Sequence, residues 1–177
     1  NAADWEATLR RMAAHQVRSD SGWLLAMVAA GLLSLTAVAL SQRLMTAGRT
    51  KSAGFCLVTL PIAWAGCAAD SGTALIMSGM TKSTDLTLQA EILQSYNSGA
   101  LKPGIVFLAE VVGAIGYITL AVASARAHIM SRGTAVVLAL GGAGTLITSS
   151  GPKTPLLVTA AVLLGVGHIL AVRTTPI

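Results

Sequence analysis

Residues 23–44 read WLLAMVAAGLLSLTAVALSQRL, an apolar run with no charged side chain before Arg43. A run of this kind lies within the ~17 to 25 residues that an α-helix needs to cross a bilayer, at a rise of about 1.5 Å per residue. Four more follow, at residues 53–80, 104–127, 134–148 and 156–172, with short polar connections between them. The run at 134–148 is the shortest. The pattern predicts an all-α polytopic transmembrane helical bundle of five membrane helices, forming one membrane domain over residues 1–177 behind an outer segment at 1–22.

Composition agrees. Hydrophobic residues make up 54% of the chain and charged ones 11%, against about 25% charged in a soluble domain; the mean hydropathy is +0.71. Aromatics are 4%, whereas glycine alone occurs 18 times. Lipid tails are as apolar as the helices, so membrane helices associate through small residues that let backbones approach. Net charge is +5, but the basic residues are scattered through short connections with no aromatics between them. The expected partners are the lipid bilayer and its anionic headgroups, not nucleic acid. Cys56 and Cys67 lie on one predicted helix, ~16 Å apart along its axis and too far for a disulfide. No Cys/His spacing suits a metal.

Two segments outside the apolar runs have helical periodicity. Trp5, Leu9, Met12 and Gln16 follow a possible Asp4 cap, and Leu86, Ala90, Leu93 and Tyr96 precede Asn97, Ser98 and Gly99. Both predict short amphipathic helices on the outer surface. Orientation follows from Lys and Arg placement. The connections with Arg43, Arg49 and Lys51 and with Arg126 and Arg132 carry no acid, whereas the one from 81 to 102 contains Asp85 and Glu91. The positive-inside tendency puts the first two in the cytoplasm, the amino terminus outside and the carboxyl terminus inside. Arg10, Arg11 and Arg18 oppose this assignment, softened by Asp4, Glu6 and Asp20. An outside amino terminus calls for a leader or an earlier helix before Asn1.

Two carboxylates interrupt the apolar runs, Asp70 and Glu110. Each costs ~2.5 to 3.5 kcal/mol or more at mid-bilayer, so such a residue faces the bundle interior and is a candidate ion or proton site. Glu110, Ala114, Tyr117, Ala121, Ser124 and His128 are spaced four and three apart and form one stripe; Thr59, Ala63, Cys67, Asp70 and Thr73 form another. Facing stripes could pass protons or a small cation, with Asp70, Glu110, Tyr117 and Ser124 as the groups that bind them. The same stripes also describe a buried seam with polar glue, each bond being worth ~0.6 to 2 kcal/mol. His128 and His168 would come to similar depth, which suits bis-His haem ligation. Gly113, Gly165, Gly141 and Gly144 belong to small-residue pairs or clusters and are expected at close helix crossings. The Gly141–Gly144 run lacks the Lys of a phosphate loop, and there is no G-x-S-x-G or H-E-x-x-H motif. Residues 149–155, SSGPKTP, predict a tight outer turn.

The segments ADWEATLRRMAAHQVRSDSGW (3–23), SQRLMTAGRTKSAG (41–54) and SARAHIMSRGTA (124–135), with the polar outer loop between them, carry a resemblance of layout. The chain resembles small Ala/Leu/Gly-rich bacterial membrane proteins with five or six helices. That resemblance implies a bacterial inner membrane location and assigns no functional residues. The function expected from these features is a noncatalytic integral membrane subunit or accessory protein that packs against other membrane subunits. No cofactor is required for that role. A proton- or cation-coupled carrier and a haem-bearing electron-transfer subunit are the alternatives.

Overall fold

A computed structural model describes residues 2–98, 101–148 and 154–173, and among these the regular structure is entirely helical. The elements are α1 (Ala2–Ala14), α2 (Gln16–Thr46), α3 (Thr50–Met80), α4 (Leu86–Ser98), α5 (Leu101–Arg126), α6 (Arg132–Thr148) and α7 (Thr154–Arg173). The all-α bundle expected from the apolar runs is present. Among the described residues three helices are long and apolar enough to cross a membrane: α2, α3 and the Val106–Arg126 part of α5. At 17 residues α6 is at the lower limit of a crossing, and α7 has 20 residues, apolar over 156–172.

The boundary between outer segment and first membrane helix differs from the sequence expectation. The helix starts at Gln16, not Trp23, because nothing between them except Gly22 opposes helix and propagation past an existing nucleus is favourable. With 31 residues each, α2 and α3 are ~46 Å long, more than the ~30 Å of hydrocarbon, so their ends project or the helices tilt. Asp4 lies in the first turn of α1, not at its cap, where its charge still suits the helix dipole. Residues 149–153 of the expected turn lie outside the described residues.

The chain divides into two compact units, and α2, α3 and α5 contribute to both. The first comprises residues 1–30 and 66–106. Here the two amphipathic helices, α1 and α4, pack against each other. Leu9, Ala90 and Leu93 are buried between them, flanked by Trp5, Met77, Met80 and Leu86. Asp85 begins α4 by accepting the Leu88 N–H at 2.9 Å, the usual way an N-terminal donor is satisfied. Ser78, 1% exposed, donates its hydroxyl to Asp20, tying the end of α3 to the start of α2.

The second unit comprises residues 31–65 and 107–177. Its core includes Leu40, Leu44, Cys56, Leu60, Tyr117, Leu120, Leu138 and Leu164. Small residues set the helix spacing. A Cβ on Gly141 would fall 2.7 Å from the Leu164 nitrogen, one on Gly144 2.7 Å from the Ala160 Cβ, and one on Gly167 3.1 Å from the Leu138 Cα. Rising numbers on α6 meet falling numbers on α7, so the two form a close antiparallel hairpin. On α5, Gly113 approaches Ala63 and Gly116 approaches Thr59 and Leu60 of α3.

The two described connections of this unit, α2–α3 and α5–α6, use the same stop. After α2, Gly48 has φ 77°, its N–H reaches the Met45 carbonyl at 3.1 Å and Arg49 N–H reaches Leu44 at 2.9 Å. After α5, His128 has φ 57°, its N–H reaches Ala125 at 3.2 Å and Ile129 N–H reaches Ser124 at 2.9 Å. Each is a Schellman ending, which asks for a left-handed residue just past the helix. Glycine supplies it freely at 48, whereas His128 adopts it at a steric cost. Ser131 then starts α6 by accepting the Thr134 N–H at 3.1 Å.

Candidate functional site

The four-and-three spacing along α5 defines its inward face. Ala114, Tyr117, Ala121 and Ser124 are each no more than 2% exposed. The stripe leaves the interior at its two ends, with Glu110 partly exposed and His128 exposed. On α3 the second stripe stays inward only at Thr59 and Ala63; Cys67 is exposed and Asp70 and Thr73 are partly so.

At the centre of the inward face of α5 a hydrogen-bonded chain joins three helices of the second unit. Trp64 on α3 donates its indole N–H to the Tyr117 hydroxyl at 2.7 Å. That hydroxyl lies 3.4 Å from His168 Nε2 on α7, and His168 Nδ1 lies 2.8 Å from the Leu164 carbonyl. A carbonyl can only accept, so Nδ1 carries the proton and Nε2 has the lone pair. The bonds therefore run in one direction: Trp64 N–H to Tyr117 oxygen, Tyr117 O–H to His168 Nε2, His168 Nδ1–H to Leu164. Edge-to-face ring contacts reinforce the chain, Trp64–Tyr117 at 6.1 Å between centroids and 78° and Tyr117–His168 at 5.4 Å and 84°. Gly142 of α6 lies so close to the Tyr117 Cβ that no side chain fits there. Tyr117 thus touches α3, α6 and α7 from its seat on α5.

The other expected site residues are distributed differently. Asp70 belongs to the first compact unit and Glu110 to the second. Ser71 and Thr73 give their hydroxyl protons to Cys67 and Ala69 carbonyls at 3.0 Å each, so neither donates to Asp70. Ser124 is fully buried, and its hydroxyl has no hydrogen-bond partner among the described residues. His128 is an exposed helix stop, whereas His168 is 3% exposed with both ring nitrogens engaged. An iron ligated by His168 Nε2 would have to displace the Tyr117 hydroxyl, and His128 serves backbone geometry instead. Gly113, Gly141 and Gly144 lie at close approaches, but a Cβ on Gly165 would meet nothing within 4 Å. Gly167, two residues on, faces the neighbouring helix in its place. Among the described residues no three His, Cys, Asp or Glu side chains group as a metal site would.

Sequence reading missed Trp64 and Gly116 as contact residues, whereas Gly142 belongs to the small-residue cluster at 141–144 that was expected at a close crossing. Trp64 is the only one of the three Trp residues inside an apolar run away from its ends, a position where the indole N–H needs an acceptor. That was the available signal. No family model matches the chain, and no curated protein or solved structure is significantly similar to it.

Proposed function

We propose that this chain is a noncatalytic multi-pass subunit of a larger assembly in a bacterial inner membrane, contributing helix surface to its neighbours. The observation that carries this reading is that the hydrogen-bonded chain at the centre of the second unit is closed. Each donor of the Trp64–Tyr117–His168 chain is matched to an acceptor, so it locks helices and leaves no open group for a substrate. The apolar exterior supports the same reading. Only 22% of the most apolar stretch of α2, and likewise of α3, is buried. Phe55, Val58 and Ile62, three and four apart on α3, are exposed, the ridge spacing by which helices pack into one another. In this reading the Arg49 and Arg132 connections face the cytoplasm, with the amino terminus outside.

The test is solubilisation of native membranes in mild detergent with a photoreactive residue at Val58 or Ile62. The expected result is a particle well above the 18.0 kDa of the chain, with one protein cross-linked in stoichiometric yield from the α3 ridge. A particle of monomer size whose cross-links reach only lipid would overturn the proposal. A Soret band in its absorption spectrum would favour the haem alternative.

A further inference from the structure

Charge is divided unequally between the two units. The second contains seven of the twelve Lys and Arg residues and one of the seven acids, a formal +6, and the first contains five and six, or −1. Part of that excess lines two grooves of the second unit. One, about 330 Å³, is lined by Arg49, Ser52, Ile118, Thr119, Val122 and Arg126 among others. The other, about 500 Å³, is lined by Arg126, His128, Arg132, Val122, Val136 and Ala139 among others. Arg126 and Val122 belong to both. Neither lining includes a carboxylate. Among the described residues Arg49, Arg126 and Arg132 have no ion pair, unlike Arg10, which pairs with Glu6.

The order of groups along the helices is informative. On α5, Val122 and Ile118 lie one and two turns back from Arg126, ~6 and ~12 Å along the axis. On α6, Val136 lies one turn beyond Arg132, with Ala139 nearly another turn on. Each groove therefore has guanidinium at one end and an apolar wall running away from it along the helix. A soluble anion or acidic peptide would use the first feature and leave the second uncovered. A phospholipid uses both, with phosphate on the guanidiniums and acyl chains along the wall.

We propose that the Arg49–Arg126–Arg132 collar is a binding site for an anionic phospholipid carrying two phosphates, one in each groove, with Arg126 shared between them. Ser52, close in sequence to Arg49, supplies a further hydroxyl donor to the first phosphate. This deepens the membrane-subunit reading and rests on it.

The test is native mass spectrometry of the detergent-purified chain after addition of cardiolipin, phosphatidylglycerol or phosphatidylcholine, with inorganic phosphate as a competitor. Cardiolipin should be retained in preference to phosphatidylglycerol, and phosphatidylcholine least. Arg126→Gln should weaken cardiolipin retention by ~10-fold or more, as loss of a charge-assisted contact implies. Arg49→Gln and Arg132→Gln should each weaken it less, and Arg126→Lys should recover part of it. Melting temperature shows whether each variant is folded; if Arg126→Gln alone unfolds, the Arg49→Gln, Arg132→Gln double variant carries the test. Equal retention of cardiolipin by the variants and the unaltered chain, equal retention of both anionic lipids, or displacement by millimolar inorganic phosphate would each overturn the proposal. Failure of the membrane reading itself would look different: the chain would stay monodisperse once detergent was removed.

Discussion

Replacing Gly142 by Ala puts a methyl group where the structure has none to spare. The new Cβ would overlap the Tyr117 Cβ and come within 3.0 Å of its Cγ and 3.4 Å of its Cδ2, whereas carbon pairs settle at about 3.5 to 4.0 Å. Tyr117 cannot turn away. Its Cβ is fixed by the α5 backbone, and its hydroxyl is held by Trp64 at 2.7 Å. The strain must be relieved by moving α6 outward by ~1 Å, which loosens the Tyr117 contacts as well. Overpacking costs ~1 to 3 kcal/mol. Weakened interhelical hydrogen bonds add ~1 kcal/mol, and the better helix propensity of Ala returns up to ~1 kcal/mol. The expected net loss is about 2 kcal/mol. Gly165→Ala is the control, since its Cβ meets nothing within 4 Å, and it should be neutral or gain up to ~1 kcal/mol. Reversible unfolding in mixed micelles with rising SDS fraction, followed by far-UV circular dichroism, measures both. Wild-type stability for Gly142→Ala, or a larger loss for Gly165→Ala, would refute the packing argument.

Tyr117→Phe keeps the ring but strips the acceptor from Trp64 and the donor from His168. It should cost ~1 to 2 kcal/mol in the same titration, with a changed Trp emission as the local readout; an unchanged midpoint would mean the chain of bonds is idle. His128→Gly should gain ~1 kcal/mol and Gly48→Ala lose about as much, because both positions are left-handed helix stops; opposite signs in thermal midpoints would remove the Schellman assignment. For topology, single cysteines at Arg49 and Arg132, in a chain with Cys56 and the exposed Cys67 replaced, should resist an impermeant thiol reagent in intact cells while one at Ser98 labels. Ready labelling at Arg49 would reverse the orientation.

Periodicity made the helices and the inward face of α5 legible before any coordinates. Tyr117, Ala121 and Ser124 share one face in any α-helix, and an apolar run needs no tertiary information to be helical in lipid. The amphipathic pairing of Leu9 with Ala90 and Leu93 was foreshadowed in the same way, as two stripes without partners, but nothing local said that they would cover each other. What escaped is what depends on three-dimensional register. Gly165 and Gly167 are indistinguishable as small residues, and only the rotation of α7 decides that Gly167 faces Leu138. His128 looked like a ligand because helix spacing places it on the stripe. Its φ of 57° takes it out of the helix and makes it a stop instead. Trp64 required knowledge of which side chain crosses from α5, and the division of Asp70 and Glu110 between two compact units could not be read from their similar depth.

The central claim, that the chain contributes surface and carries nothing across the membrane, is tested most directly by ion flux. Purified protein in liposomes would be assayed for proton and cation movement beside its Asp70→Asn and Glu110→Gln variants, with melting temperatures measured on the same samples. Each amide keeps the shape and most of the hydrogen bonding while removing the charge. The account predicts no flux above empty liposomes for any of the three, and variants at least as stable as the parent. Flux through the unaltered chain that either substitution abolishes, with the fold intact, would contradict it.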